Sequence, residues 1–167
     1  MPLVNEFPNI SSMEVVIILD NIRSAHNVGS IFRTADAAGV SKIYLCGVTP
    51  DPIDRFGRVQ NDIAKVSLGA QKSVLWEHVS LTIECVMKLK EEGFYVVALE
   101  QTPQSVDYKK VVTLPKTAII LGEETKGIPP EVVSLSDVVA QIPMKGTKES
   151  LNVATAFVIF LFRILNI

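Results

Sequence analysis

An α/β fold built on a mainly parallel sheet, with helices on both faces, is predicted by two patterns in the sequence. Short runs rich in Val and Ile recur along the chain, each uniformly apolar rather than alternating, as strands buried on both faces of a parallel sheet are. Between them lie stretches whose apolar residues fall three and four apart and which stop at glycine, the pattern of amphipathic helices closed by a left-handed cap. Strands alternating with helices fold into this architecture.

In chain order, strands are expected at residues 15–19, 43–45, 94–99, 118–121 and 138–142. The first helix is expected from near Asn27, with Val28, Ile31, Phe32, Ala35 and Ala38 as its apolar stripe and Gly39 as its end. Ser30 and Arg33, three apart, then share its polar side. A weaker stripe of Ile83, Val86, Met87 and Leu89 predicts a second helix over about 80–92, stopped by Gly93. Residues 49–69 carry Pro50, Pro52, Gly57 and several charges and read as a long surface excursion, a class of loop that is often functional. The final segment, 151–167, is apolar nearly all round but is broken by Asn152, Thr155, Arg163 and Asn166. It falls short of the roughly 20 apolar residues that cross a membrane, so it is expected to be a helix buried on all sides, either in a core or, as the small chain favours, against a second subunit.

A chain of 167 residues, 48% apolar and 20% charged, buries a core and is read as one domain, 1–167. Cys46 and Cys85 have no CxxC spacing and sit in or beside apolar segments, which points to buried thiols in a reducing compartment. Residues 1–9 lack a basic stretch followed by an apolar core, so the expected location is the cytoplasm. The net charge of −2 disfavours a broadly basic nucleic-acid binder, yet residues 21–72 carry seven basic against four acidic side chains.

Several common chemistries are missing. The sequence has no GxGxxG after its first strand, no phosphate-binding GxxxxGK[ST] loop and no GxSxG elbow, and His26 and His78 stand in no metal-ligand or triad pattern. No metal is expected. Three polar stretches follow apolar strands, where open α/β sheets place ligands. They are residues 20–37 (DNIRSAHNVGSIFRTADA), 121–128 (LGEETKGI) and 146–153 (GTKESLNV), the last preceded by Ile142-Pro143-Met144.

In this order and spacing, the three stretches resemble the signature motifs of the SpoU (TrmH-like) family of RNA 2′-O-ribose methyltransferases, within the SPOUT superfamily. Leu68-Gly69-Ala70 and Leu99-Glu100 match as well, so the resemblance covers nearly the whole chain. It implies a C-terminal trefoil knot, a homodimer, S-adenosyl-L-methionine as methyl donor and RNA as substrate, with tRNA favoured over rRNA and no separate RNA-binding domain expected beside the methyltransferase domain. It also implies that the donor lies among loops following Leu99, Gly122 and Ile142, with Ile142 and Leu151 against the adenine. Both could equally be plain core residues. Glycine at 122 is expected to let backbone approach the ligand closely.

Arg33 corresponds to the arginine at the family's reaction centre, either as general base or as a stabiliser of alkoxide charge. A guanidinium holds its proton, which favours the second role. Asn27, Glu124, Ser150 and Asn152 match the remaining polar positions and are assigned to orienting Arg33, the ribose or the catalytic loop, although Asn152 could simply cap a helix. Glu123 departs from the family pattern and adds a carboxylate next to Glu124. The rival readings are a non-catalytic RNA-binding or assembly protein of the same fold, and a generic nucleotide-binding α/β protein.

Overall fold

The computed structural model describes residues 12–167; the expectation for residues 1–9 lies outside them. The chain runs β1 (Glu14–Asp20), α1 (Ala25–Ala38), β2 (Lys42–Cys46), α2 (Asn61–Ser67), α3 (Ala70–Ser73), β3 (Leu75–Val79), α4 (Thr82–Glu91), β4 (Tyr95–Leu99), β5 (Val106–Asp107), β6 (Lys116–Leu121), α5 (Pro130–Val133), β7 (Val138–Gln141) and α6 (Val153–Leu165). All seven strands join one sheet in the order β3-β2-β1-β6-β4-β7-β5, and every pairing is parallel.

The alternation of strand side chains divides the core in two. Ile17 and Leu19 face α1 and α6 together with Phe32, Phe157 and Phe160, whereas Val16 and Ile18 face α4 with Val86 and Leu89. Helices therefore cover both faces, as expected. Cys46 and Cys85 are free, buried thiols in the second core, and the hydrogen bond to Cys46, reinforced by burial, pushes the Cys85 thiol well up.

Strands β3 and β5 and helix α5 are not anticipated by the sequence pattern, and three further elements depart from expectation. Helix α1 begins at Ala25, because the Ser24 hydroxyl accepts from the Asn27 amide at 3.1 Å and caps it two residues earlier. The 49–69 excursion contains a helix, α2, and ends against a further turn, α3. Helix α6, expected to bury itself against another subunit, places Phe157, Phe160, Leu161, Ile164 and Leu165 in its own chain's core and packs on α1. Only the strip that includes Thr155 and Val158 stays exposed. Among the described residues, no helix is long and apolar enough to cross a membrane.

Candidate active site

Strands β6, β4 and β7 lie side by side, and Leu99 is in register with Leu121 on one side and Ala140 on the other. The loops leaving their carboxyl ends must therefore emerge together. They border an open cavity of about 470 Å³, flanked on its fourth side by residues 150–152 and by Val153 and Ala156 of α6. Leu99, Gly122, Ile142 and Leu151, the four residues assigned to the methyl donor, all line it, as do Glu124, Ser150 and Asn152. Asn27 and Arg33 do not. His26 is exposed, and His78 pairs with Asp51 at 2.6 Å away from the cavity.

The loop after β6 is shaped by contacts with itself and with Glu100. A Cβ on Gly122 would lie 2.5 Å from the Ile128 amide nitrogen and 2.6 Å from the Gly127 carbonyl carbon. Besides lining the cavity, this glycine thus permits a close approach of its own loop's backbone. Gly127 has φ +67°, and a Cβ there would meet the Glu100 carboxylate. Glu100 Oε2 accepts from the Ile128 amide at 2.8 Å and Oε1 from the Gln101 amide at 2.9 Å, so one carboxylate ties the loop after β4 to the loop after β6. The sequence alone assigns Glu100 no role; its only signal is a carboxylate placed directly after an apolar strand.

A second network joins the three polar stretches. Asn152 Oδ1 caps α6, accepting from the amides of Ala154 at 2.9 Å and Thr155 at 3.3 Å, while its Nδ2 donates to Asn27 Oδ1 at 3.1 Å. Asn27, only 5% exposed, passes the link on by donating from Nδ2 to Glu124 Oε1 at 2.8 Å. Asn152 is therefore both helix cap and network member. Glu123 turns away to Arg23 Nε at 3.4 Å and to the Thr125 hydroxyl, so the two neighbouring carboxylates have separate partners. Ser150 is exposed at the cavity edge.

Arg33 is exposed on α1, and among the described residues its guanidinium has no ion pair or hydrogen bond. Among the described residues, no hydrogen bond joins the Asn27 network to it within the chain. Behind the site, Asp20 is 2% exposed and accepts from the Thr82 hydroxyl; burial, with Glu123 and Glu131 nearby, pushes its carboxyl above the usual carboxylate range. Among the described residues, no group of three or more His, Cys, Asp or Glu could hold a metal ion.

The cavity suits a nucleoside-sized ligand with both apolar and charged parts. Its volume is in the range of small-molecule sites, its walls include Leu99, Ile142 and Leu151, and carboxylates and loop backbone border it.

Known proteins resemble the chain in sequence and in fold. The chain is 30% identical over 149 residues to a tRNA (guanosine(18)-2′-O)-methyltransferase of Aquifex aeolicus, covering 89% of this chain and 67% of that one. It is 32% identical over 152 residues to a putative TrmH family tRNA/rRNA methyltransferase of Staphylococcus haemolyticus, covering 91% of this chain but only 58% of the relative. The chain thus spans somewhat over half the length of the staphylococcal relative. Among solved structures, an AdoMet-bound rRNA methyltransferase from Sinorhizobium meliloti superposes with a TM-score of 0.83 at 31% identity, over 92% of this chain and 56% of that one. The A. aeolicus TrmH/SpoU tRNA modifying enzyme gives 0.80 at 29%, over 92% and 74%. The profile of the SpoU rRNA Methylase family matches residues 14–162, and the chain belongs to that family.

Proposed function

We propose that this chain transfers a methyl group from S-adenosylmethionine to a ribose 2′-hydroxyl of RNA, acting as a homodimer. The observation that carries the reading is the single cavity formed where β4, β6 and β7 end, lined by all four residues expected to hold the donor. Its support from outside the chain is the AdoMet-bound relative of the same fold and the Aquifex relative named for 2′-O-methylation. The knot belongs to the same proposal, supported by β7 lying between β4 and β5 and by the return of residues 150–153 to the loops after β4 and β6. So does the single methyltransferase domain, supported by the one continuous sheet.

When bound, S-adenosylmethionine supplies a methyl group activated by a sulfonium. Ile142 and Leu151 would exclude water from its adenine end, with Leu99 lining the same cavity. Glu100 holds two of the binding loops in one arrangement. Arg33 stays protonated, grips phosphate and stabilises negative charge on the 2′-oxygen, whose proton passes to solvent water as the oxygen takes the methyl group. Because Arg33 lies outside the cavity of its own chain, a second copy is assigned the task of presenting its Arg33 there. Incubation with labelled S-adenosylmethionine and either total tRNA or rRNA, followed by mapping of ribose methylation, tests the reading. Label at a 2′-oxygen is the expected result, with tRNA the first substrate to try. Binding of the donor without transfer to either RNA would favour the non-catalytic RNA-binding reading.

A further inference from the structure

The excursion after β2 folds into a small antiparallel turn with an aromatic tip. Ile53 bridges Val59, the Asp54 amide donates to the Arg58 carbonyl at 2.9 Å, and the Gln60 amide closes the base on the Pro52 carbonyl at 2.9 Å. Asp54 braces the tip: Oδ1 accepts from the amides of Phe56 at 2.8 Å and Arg58 at 2.9 Å, and Oδ2 accepts from Arg58 Nε at 2.7 Å. So held, Phe56 is 66% exposed, with the guanidiniums of Arg55 and Arg58 at 4.7 and 5.1 Å from its ring centroid. The turn thus offers water an apolar ring flanked by two guanidiniums, that of Arg58 held in place by Asp54. A single strand of nucleic acid has the complementary parts, a base with an open π-face and phosphates on either side.

The turn is also positioned for the reaction. Gln60 starts α2, and α2 is pressed on α1 so closely that a Cβ on Gly29 would lie 2.8 Å from the Ile63 carbonyl oxygen. Ser73, at the end of α3, donates to Asp36 Oδ1 at 2.6 Å. Gly29, Arg33 and Asp36 fall at i, i+4 and i+7 on one face of α1, so the excursion is laid along the face that carries Arg33.

We propose that residues 53–59 are a stacking platform for an unpaired nucleotide of the RNA: Phe56 takes a base, and Arg55 and Arg58 take the flanking phosphates. The inference rests on the methyl-transfer reading and deepens it, because the substrate class becomes RNA that is single-stranded or looped near the modified ribose. Duplex RNA hides its base faces and does not fit.

The test measures binding of the full chain to a labelled mixed-sequence single-stranded RNA and to the same sequence as a duplex. Single-strand preference is expected, Phe56→Ala should weaken it roughly 5- to 150-fold, and Phe56→Trp should keep it. Arg55→Ala should flatten the salt dependence by about 0.7 in log–log slope for each phosphate no longer neutralised. Affinity for S-adenosylmethionine, read by calorimetry, should not move. A parent that prefers duplex or binds neither RNA overturns the platform, as does Phe56→Ala with parental affinity. Dissociation of Phe56→Ala into monomers on sedimentation would also overturn it, by assigning the tip to a protein interface. Methyl transfer measured alongside separates the two readings: Phe56-dependent binding without transfer removes only the enzyme reading, and transfer indifferent to Phe56 removes only the platform.

Discussion

Asn27 and Asn152, 125 residues apart, share a hydrogen bond of 3.1 Å whose direction is set by helix α6. Asn152 Oδ1 is committed to two α6 amides, so its Nδ2 must be the donor, Asn27 must present its oxygen, and the Asn27 Nδ2 is left to face Glu124. The cap of one helix thereby fixes the amide orientation at the start of another and the position of a carboxylate on the loop after β6.

The first prediction reverses one link of that chain. Asn27→Asp puts a buried carboxylate against Glu124, and like charges at this distance raise the pKa of the pair. A raised pKa in the folded state contributes stability at low pH that is lost as pH rises. The variant should be less stable than the parent by about 1–3 kcal/mol at pH 7, with the deficit shrinking toward pH 4. Urea denaturation at both values checks this, and equal stability at pH 7 would remove the network.

Gly122→Ala provides the second. The added Cβ is 2.5 Å from the Ile128 nitrogen, so the loop must open even though the core behind it is untouched. Calorimetry should show donor affinity reduced at least about tenfold, the scale of one missing hydrogen bond. Thermal unfolding should remain cooperative. Unchanged affinity in a folded variant would mean that this loop does not hold the donor.

Asp20 yields a pH prediction. Its carboxyl sits above the ordinary value of 3.8, mainly through burial, so the folded protein holds that proton more tightly than the unfolded chain. Its contribution is full below the unfolded pKa and is lost as pH rises through the folded one. Asp20→Asn, which can still accept from Thr82, should therefore gain stability relative to the parent between pH 4 and pH 7. A difference that stays constant across that window would refute the assignment.

The parts legible in the sequence were those with two-sided burial. Ile17, Ile43, Val97 and Ile119 lie in strands covered on both faces and announce them by composition. Strand β3 sits at the sheet edge with Leu75 70% exposed and Glu77 and His78 within it, so its composition is that of a loop. Helix α2 buries little beyond Ile63 and Ser67 and shows Asp62 and Lys65 to water, too thin a stripe to register. At the site, family motifs identified the residues lining the cavity. What joins them was not legible, because Asn27 meets Glu124 across 97 positions and Glu100 meets Ile128 across 28. Such pairings depend on strand order, which local pattern does not encode.

The last prediction decides whether one site is built from two chains. Arg33→Ala leaves the cavity intact but removes the charge assigned to the RNA, whereas Gly122→Ala damages the cavity and leaves Arg33 in place. Each homodimer should be nearly inactive when the donor is held well below the weakened Kd of Gly122→Ala, the first by about 100-fold or more with donor binding preserved. If Arg33 serves the cavity of the other subunit, mixing the two after reversible dissociation creates heterodimers with one whole site, in which the cavity of the Arg33→Ala subunit meets the arginine of its neighbour. Random pairing within a two-fold dimer then restores about a quarter of the parent activity. If Arg33 serves its own chain, every heterodimer pairs one subunit lacking the arginine with one lacking the cavity, and mixing restores nothing. Single-turnover methyl transfer on the mixture, with sedimentation confirming the exchange, distinguishes the outcomes. Full activity in the unmixed Arg33→Ala protein would remove Arg33 from the reaction altogether.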